Sequence, residues 1–281
     1  ATLLKLRNWF MWFVAAIVIN NTLHRLGFGF YAVGASGVMT LSIAVALFLS
    51  DFWIFRNWKS LVLSCAIALI PLLYVTRMGI LVIFAIFAFH FANRHRAVKV
   101  LTGIIMAFFL AAVFYSEGFQ RKSFYSGSGS IEQAVELGEN LNTNGRMHLW
   151  MLAEHHLDGH EWLGMGARSD LRLLLRYHYK LKELHNDYIS VRYNYGWTGL
   201  ALLIFAFITL FIILVRKGRY VTDAFTAVFY YAALTLFIAW VGFMFSDNAL
   251  KYAVFFGNFH FAVMGIVFSR LNRPPVKTVL P

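Results

Sequence analysis

The chain has 281 residues, of which 60% are hydrophobic and only 14% are charged. Several apolar runs approach the length needed to cross about 30 Å of hydrocarbon, which excludes a protein whose main solvent is water. The net charge of +12 would indicate nucleic acid binding in a soluble protein, but in a membrane protein the cations first report topology. The sequence therefore predicts a polytopic membrane protein that contacts membrane lipids and no nucleic acid.

Hydropathy along the chain predicts an all-α integral membrane protein with about eight transmembrane helices. The first predicted span is weak and the fourth is short. In chain order the predicted spans are 9–22, 30–51, 60–75, 78–92, 99–115, 187–215, 222–245 and 251–269.

The short segments on one side of these spans are all basic. Their cations are Lys5, Arg7, Arg56, Lys59, Arg94, Arg96, Lys99, Arg216, Lys217, Arg219, Arg270, Arg273 and Lys277. The short connections on the other side hold little besides Arg25, Arg77 and Lys251. Because cytoplasmic loops carry an excess of Lys and Arg, both termini are predicted to be cytoplasmic. The long loop 116–186 is then outside, and loops of this length translocate largely regardless of their charge.

This topology divides the chain into three parts. An N-terminal bundle of five spans is predicted for 1–115, a loop subdomain for 116–186 and a C-terminal bundle of three spans for 187–281. The chain begins at Ala1, and its first apolar run lacks a small-residue cleavage site, so it does not resemble a signal peptide. We expect a truncated polypeptide with further spans upstream.

The long loop contains most of the polar residues. The segment 126–130 alternates serine and glycine, which predicts a flexible connector with no means of packing a core. Helices are predicted for 131–137 and 147–156.

A cationic stripe is predicted between Arg168 and Leu184, where the pattern is typical of an amphipathic helix. Like charges at i+4 spacing repel by about 0.2–0.5 kcal/mol per pair, so an anionic neighbour would stabilise them. Phospholipid headgroups, a phosphate-bearing lipid substrate and solvent alone are the three alternatives for that neighbour. The stripe consists of Arg168, Arg172, Arg176 and Lys180, and the predicted apolar face consists of Leu171, Leu174, Leu175 and Leu181.

Three outer-side groups are candidates for chemistry. Arg77 heads the fourth span, where an arginine either pairs, faces a polar cavity or extends to the interface. Arg146 precedes a helix with Trp150 one turn on, which would present the guanidinium towards the membrane and the indole at the interface. His185 directly precedes the sixth span, where its imidazole could act as a general base on a hydroxyl or serve only as an interfacial side chain. A fourth residue, Asp247 at the outer end of the seventh span, is either a helix cap or a lining residue of the same cavity.

Other chemistries lack supporting motifs. The histidines at 148, 155, 156 and 160 do not form an HExxH motif, and Cys65 is the only cysteine, so we expect no metal site and no disulfide. No phosphate-binding loop, dinucleotide-binding fingerprint or hydrolase GxSxG motif is present in the sequence.

Five short motifs occur in a fixed order around the loop. They are Thr76-Arg77-Met78-Gly79, Gly145-Arg146 with Trp150, Leu163-Gly164-Met165-Gly166, His185-Asn186-Asp187-Tyr188 and Tyr195-Gly196-Trp197-Thr198-Gly199-Leu200. In this order and sidedness, residues 55–270 resemble the O-antigen ligase and O-antigen polymerase family. Two features depart from the family pattern: Glu161-Trp162-Leu163 replaces a segment that often contains proline, and the family usually has more spans.

The resemblance implies a GT-C-like fold and glycan transfer on the periplasmic face of the bacterial inner membrane. The donor would be a glycan on undecaprenyl diphosphate, the acceptor a hydroxyl of lipid A-core or of another glycan, and no metal or other cofactor would be used. In this interpretation Arg77 and Arg146 stabilise the leaving diphosphate while His185 accepts the hydroxyl proton, with inversion at the anomeric carbon. Substrate contacts are expected from Trp150, Asn186, Asp247 and the cationic stripe, the last being our own inference.

Three enzymatic activities and one non-enzymatic function are compatible with this pattern. A ligase acting on lipid A-core is favoured over a polymerase that extends carrier-bound glycan, and a protein O-oligosaccharyltransferase is a third option. A transporter with Arg77 and Asp247 as buried pathway charges is the alternative of another class.

Overall fold

The computed structural model describes residues 35–73, 76–92, 96–136, 140–177, 183–250 and 258–271, together with isolated positions before residue 35. Within these ranges the chain is helical, with one isolated antiparallel bridge between Phe124 and Leu141 and no strand. The helices are α1 (Ala35–Phe55), α2 (Trp58–Leu73), α3 (Arg77–Ala92), α4 (Arg96–Phe114), α5 (Glu117–Ser123), α6 (Ile131–Val135), α7 (Arg146–His155), α8 (Ser169–Arg176), α9 (Asp187–Lys217), α10 (Ala224–Ser246) and α11 (Asn258–Leu271). A short 3-10 turn, Gly218–Tyr220, follows α9.

Two described segments, Asp187–Tyr220 and Ala224–Phe245, are long and apolar enough to cross a membrane. A third is obtained if Lys99–Phe114 and Glu117–Ser123, which meet at 64°, act as one span. Shorter apolar helices occur at Thr40–Phe55, Trp58–Leu72, Arg77–Phe91 and His260–Leu271. The all-α prediction is confirmed for the described residues, whereas the count of eight spans stays a prediction. Of the predicted span 9–22, only isolated positions are among the described residues.

One hydrophobic core joins helices from both ends of the chain. Helix α1 packs against α2, α3 and α10, and α10 also packs against α3 and α11. Both α1 and α10 are apolar around their circumference, as expected for helices surrounded by other helices. The predicted N-terminal and C-terminal bundles therefore meet in a shared core, although the predicted domain boundaries stay predictions.

Helix α9 differs from α10 in what covers it. Only 6% of its most apolar stretch is buried inside the protein, compared with 72% for α10. Leu202, Phe205 and Ile208 are more than half exposed, which is the arrangement expected of side chains that face lipid.

Helix α10 is capped at its start by Asp223, on the side predicted to be cytoplasmic. Asp223 Oδ2 accepts a hydrogen bond from the Thr226 hydroxyl at 2.6 Å, and Oδ1 accepts from the Thr226 N–H at 2.8 Å. These hydrogen bonds, the hydroxyl above all, hold the pKa of Asp223 below its usual value because they favour the charged carboxylate. The cap fixes where α10 starts.

The start of the loop is ordered by its own contacts. Helix α5 buries Gln120 and Ser123, and Gln120 Oε1 accepts a hydrogen bond from the Gly129 N–H at 2.7 Å. Asn140 contacts the same segment, because its Nδ2 donates to the Ser128 carbonyl at 3.0 Å. The segment 126–130, predicted to be a flexible connector with no means of packing a core, is thus attached to the loop through polar side chains; its flexibility stays a prediction.

The predicted amphipathic helix 168–184 is shorter in the structure. Arg168 has a left-handed backbone with φ of 60°, so α8 begins after it, and α8 ends at Arg176. Leu173 and Leu174 are buried while Leu175 is 53% exposed, so the buried face is rotated relative to the predicted one. Residues 178–182, including Lys180 and Leu181, lie outside the described residues.

Candidate functional site

The junction of α2 and α3 places Arg77 at the edge of the loop. The Thr76 N–H and hydroxyl both donate to the Pro71 carbonyl, at 2.9 and 3.2 Å, which closes the turn before α3. The half-buried Arg77 then donates from Nη1 to the main-chain carbonyl of Asn142 at 2.8 Å. An arginine of an apolar helix is thus joined to loop backbone 65 residues away in sequence.

Arg146 is brought to the same region by a turn with two left-handed residues. Asn144 has φ of 54° and Gly145 has φ of 75°, and the Arg146 N–H donates to the Thr143 carbonyl at 3.2 Å before α7 begins. Arg146 and Arg77 are close enough for their positive charges to repel each other. Two arginines held near each other form a site at which an anion would be stabilised.

A third cation, Lys122, was not identified from the sequence. Its charge and that of Arg77 also repel each other. The backbone next to Lys122 is joined to the residue that binds Arg77: the Ser123 carbonyl accepts a hydrogen bond from the Asn142 N–H at 2.8 Å, and the Asn142 carbonyl accepts from Arg77. One sequence pattern distinguishes the two adjacent cations. Glu117 and Arg121 have the i,i+4 spacing of an ion pair, whereas the residue four positions before Lys122 is a glycine.

Helix α7 connects this cationic region to the segment that carries His185. Trp150 Nε1 donates to the Leu184 carbonyl at 2.8 Å. The indole ring also contacts Phe245 near the end of α10, with ring centroids 6.5 Å apart. Trp150 is thus a link between three segments, and its predicted substrate contact stays a prediction.

His185 has an unusual backbone conformation and a carboxylate neighbour. Its φ is 52°, in the left-handed region that few non-glycine residues adopt. The ring Nδ1 lies 3.5 Å from Asp247 Oδ1 and 3.4 Å from Asn248 Nδ2. The His185 side chain is 21% exposed and that of Asp247 is 9% exposed, so the imidazole is the more accessible member of the pair.

The Asp247 carboxylate is the basis on which we place the proton of the His185 ring. A carboxylate can only accept, so we place the proton of the neutral ring on Nδ1, facing Asp247. Asn248 Nδ2 meanwhile donates to Glu183 Oε2. This assignment leaves the lone pair on Nε2, which is the atom able to accept a proton from a bound hydroxyl.

The residues that follow His185 have structural contacts. Asn186 is 2% exposed and its Oδ1 accepts from the Ile189 N–H at 3.1 Å, which makes it the cap of α9. Asp187 Oδ2 accepts from the Leu250 N–H at 2.9 Å and so joins the start of α9 to the end of α10. The His-Asn-Asp motif thereby fixes His185 between two helices, and the predicted substrate contact of Asn186 stays a prediction.

The glycine motifs meet at a break in α9. Gly196 has φ of 66° and ψ of −167°, so the helical hydrogen bonds across it cannot form. A Cβ on Gly196 would lie 2.3 Å from the main-chain carbonyl of Trp162, and one on Gly164 would lie 2.5 Å from the Gly196 nitrogen. Only glycine at both positions allows this contact between two backbones.

Loop residues supply the hydrogen bonds that α9 loses at its break. The N–H groups of Met165 and Gly166 donate to the carbonyls of Tyr193 and Asn194, both at 2.9 Å, and the N–H groups of Trp197 and Thr198 donate to the carbonyls of Glu161 and Trp162 at 2.7 and 3.2 Å. Every one of these four α9 groups would otherwise have bonded within the helix. The loop is therefore built into the helix at this point.

The described part of the cationic stripe lies on the outside of the loop. Arg168, Arg172 and Arg176 are all exposed, and Arg172 Nη2 donates to Ser169 Oγ at 2.7 Å. Buried Asp170 holds α8 in place, because its Oδ2 accepts from the Ser190 hydroxyl of α9 at 2.5 Å. The stripe is thus presented outwards on a fixed support, and Lys180 lies outside the described residues.

An apolar cavity of about 400 Å³ lies between α2, α3 and α4. Its lining includes Leu72 at the end of α2, Ile80 one turn after Arg77, and Phe109. The cavity therefore approaches the cationic region at the end of α3 that carries Arg77.

The histidines of the loop do not assemble a metal site in the described part of the chain. No group of three or more His, Cys, Asp or Glu residues there is arranged to hold an ion. His156, for example, contacts the Tyr177 hydroxyl at 2.8 Å through Nε2 and the Leu152 carbonyl at 2.9 Å through Nδ1.

A protein-family model described as O-Antigen ligase matches residues 62–204, just over half of the chain. The matched segment begins in α2, contains the whole loop and ends in α9 beyond its break. None of the curated proteins matches the chain.

Proposed function

Because the chain belongs to the O-antigen ligase family, whose members are glycosyltransferase-like enzymes of the inner membrane, we propose that it is a ligase. It would transfer a polysaccharide from undecaprenyl diphosphate to a hydroxyl of lipid A-core on the periplasmic face, with both termini cytoplasmic. The observation that carries the proposal is the position of α7 between the candidate groups: the charge of Arg146 at its start acts on Arg77, and Trp150 one turn on donates to the carbonyl of Leu184, the residue before His185.

The arginines suit the leaving group of this reaction. When the bond between the anomeric carbon and the diphosphate oxygen breaks, its electron pair moves to that oxygen. Preorganised guanidinium groups at this point stabilise the developing charge more than the ground state, which lowers the barrier. The Asn142 carbonyl holds Arg77 in place before any substrate arrives, so little reorganisation is needed.

His185 would supply the base. The acceptor oxygen attacks the anomeric carbon as its proton moves to His185 Nε2, and attack opposite the diphosphate inverts the configuration at that carbon. The positive charge that then forms on the imidazole lies against Asp247, 3.5 Å from Nδ1. In this proposal Asp247 positions His185. This role takes the place of the direct substrate contact that the sequence analysis expected of Asp247.

The surroundings support a lipid-linked donor and a phosphorylated acceptor. The apolar cavity between α2, α3 and α4 reaches Ile80, one turn from Arg77, and could hold part of a polyprenyl chain beside its diphosphate. The exposed Arg168, Arg172 and Arg176 could bind phosphate groups of a lipid A-core acceptor. A polymerase would use the same donor contacts, but the outward arginine stripe favours an acceptor that carries phosphate.

The test is glycan transfer by the purified protein and its His185→Ala variant, given undecaprenyl-diphosphate-linked glycan and lipid A-core. We expect glycan on lipid A-core with the wild type, and a loss of at least about 10²-fold in rate with the variant. His160→Ala is the matched control, because that ring is in the same loop and exposed. Lengthened carrier-linked glycan would indicate a polymerase instead, and equal rates in His185→Ala and wild type would refute the assigned base.

A further inference from the structure

Two large apolar side chains of the loop are directed away from the protein by a fixed turn. Trp162 is 72% exposed and Leu163 is 77% exposed. The turn that carries them, residues 161–165, is called the Trp162 turn below. It is attached to α9 through its backbone, because the Thr198 N–H donates to the Trp162 carbonyl at 3.2 Å. Adjacent apolar side chains that a fixed backbone directs outwards indicate an apolar neighbour.

The length of α9 gives the level of this turn relative to a bilayer. Residues 197–215 carry no charge, and Arg216 follows them. At 1.5 Å per residue the uncharged stretch is about 28 Å long, which matches a hydrocarbon layer of about 30 Å. Trp197 is then at the outer boundary of the hydrocarbon. The Trp162 turn is at the same level, because the Trp197 N–H donates to the Glu161 carbonyl at 2.7 Å.

The side chains on α9 change in character across that level. Before it, Arg192 donates from both terminal nitrogens to the Glu154 carboxylate, at 2.7 and 2.5 Å, and its guanidinium carbon lies 4.1 Å from the centre of the Trp197 ring. Beyond it, the side chains of Leu202 and Phe205 are exposed. Charged, aromatic and aliphatic side chains thus follow one another along the helix, which is the order expected from water through the interface to the hydrocarbon.

An open apolar groove connects the Trp162 turn to the lipid-facing surface of α9. Its lining residues are Trp162, Trp197, Thr198, Ala201, Leu202 and Phe205. Those on α9 recur one turn apart, so the groove runs along the helix axis for about 12 Å. None of the residues assigned to the chemistry lines the groove. Its position is therefore suited to an unbranched apolar chain from the bilayer and not to a substrate at the candidate site.

We propose that the Trp162 turn is inserted into the bilayer surface and that an acyl chain of a membrane phospholipid occupies the groove. The groove continues the surface of α9 that faces lipid, of which only 6% is buried inside the protein. This inference requires that α9 crosses a membrane, but it does not depend on glycan transfer. Its consequence is a loop attached at one level both to α9 and to the bilayer, which keeps the candidate site at a constant height above the hydrocarbon.

The insertion is tested with spin labels on three single-cysteine variants in a Cys65→Ser background, Leu163→Cys, Asp158→Cys and Phe205→Cys. All three positions are exposed, so these substitutions remove little packing. The protein is placed, one copy each, in nanodiscs of phosphatidylethanolamine and phosphatidylglycerol. We expect a water-soluble nickel complex to reach the label at 163 about tenfold less than the label at 158, because a polar complex that leaves water for an apolar layer loses hydrogen bonds. The label at 205 should be protected as well.

Two outcomes would overturn the insertion. Equal nickel accessibility at positions 163 and 158, with position 205 protected, would mean that the Trp162 turn lies in water. Nickel access to all three positions would mean that α9 does not cross the bilayer. Because each nanodisc holds one copy of the chain, protection of position 163 cannot come from a second copy.

The occupant of the groove is tested with phospholipids whose chains are brominated, since bromine quenches tryptophan emission on contact. The emission of Trp162 is obtained as the difference between the wild type and Trp162→Phe. We expect this emission to be lost in nanodiscs of brominated phospholipid and to stay lost when undecaprenyl diphosphate is added. Emission that persists would overturn the occupancy by an acyl chain. Emission that returns with undecaprenyl diphosphate would assign the groove to a polyprenyl chain and overturn the choice of phospholipid.

Discussion

Single residues at this site are held in conformations that they would not adopt freely. His185, the proposed base, and Asn144, two residues before Arg146, both have positive φ. A non-glycine residue in this region costs about 1 kcal/mol or more, so neighbouring contacts must maintain it. For His185 those contacts are the Trp150 bond to the preceding carbonyl and the Asn186 cap after it. The direction of the imidazole is therefore set by the backbone conformation of His185.

Substitution of Asp247 tests whether its carboxylate positions the His185 ring. In Asp247→Asn we expect kcat to fall about tenfold or more, because the amide no longer stabilises the imidazolium and can favour the other tautomer. Donor KM should stay close to the wild-type value, since the arginines are untouched. Asp158→Asn, an exposed carboxylate of the same loop, serves as the control. A donor KM that rises while kcat is unchanged would contradict a positioning role.

At the scale of elements, the break in α9 joins the loop to the membrane helix. Gly196→Ala would place Cβ against the Trp162 carbonyl and add the cost of a positive φ, which together should cost at least about 2 kcal/mol. We expect a melting temperature several degrees lower and reduced transfer. In Gly103→Ala of α4 the new Cβ meets nothing within 4 Å, so that variant should be stabilised by about 0.5–1 kcal/mol. Similar melting temperatures for the two variants would contradict this account.

Which elements could be read from the sequence depended on how they are stabilised. Helix α7 was predicted within one residue, because its apolar spacing is that of a helix packed on a small core. Helix α5 was missed because Gln120 and Ser123 bury polar atoms, which gives no hydrophobic period. The glycines at 164 and 196 were noted as motifs, but their mutual contact is between backbones and leaves no pattern of side-chain types.

At the scale of the whole molecule, the topology assigned from basic residues can be tested by labelling. Two single-cysteine variants are made in a Cys65→Ser background, Ser128→Cys and Thr222→Cys. Position 128 is in the loop predicted to be outside, and position 222 is between α9 and α10 on the side predicted to be cytoplasmic; both positions are exposed. A membrane-impermeant thiol reagent added to intact spheroplasts should label Ser128→Cys only, and Thr222→Cys should react after lysis. Labelling of Thr222→Cys before lysis would reverse the proposed orientation.

At this scale the sequence predicts the approximate extents of the described apolar helices. It does not predict the shared core of α1 and α10, because both helices are apolar all round and show no face that identifies a partner. The same holds for the joining of Arg77 to Asn142, since a side chain bonded to a distant carbonyl has no sequence signature.

Two contacts that assemble the site end on main-chain oxygens, those of Asn142 and Leu184. Every amino acid carries such an oxygen, so exchanges at positions 142 and 184 can leave the geometry unchanged, provided that the local backbone is kept. An alanine scan of the loop would therefore not report on these oxygens. It would measure instead the lost packing of the fully buried Leu184 side chain and the lost hydrogen bond from the Asn144 N–H to Asn142 Oδ1, while both carbonyls stay in place.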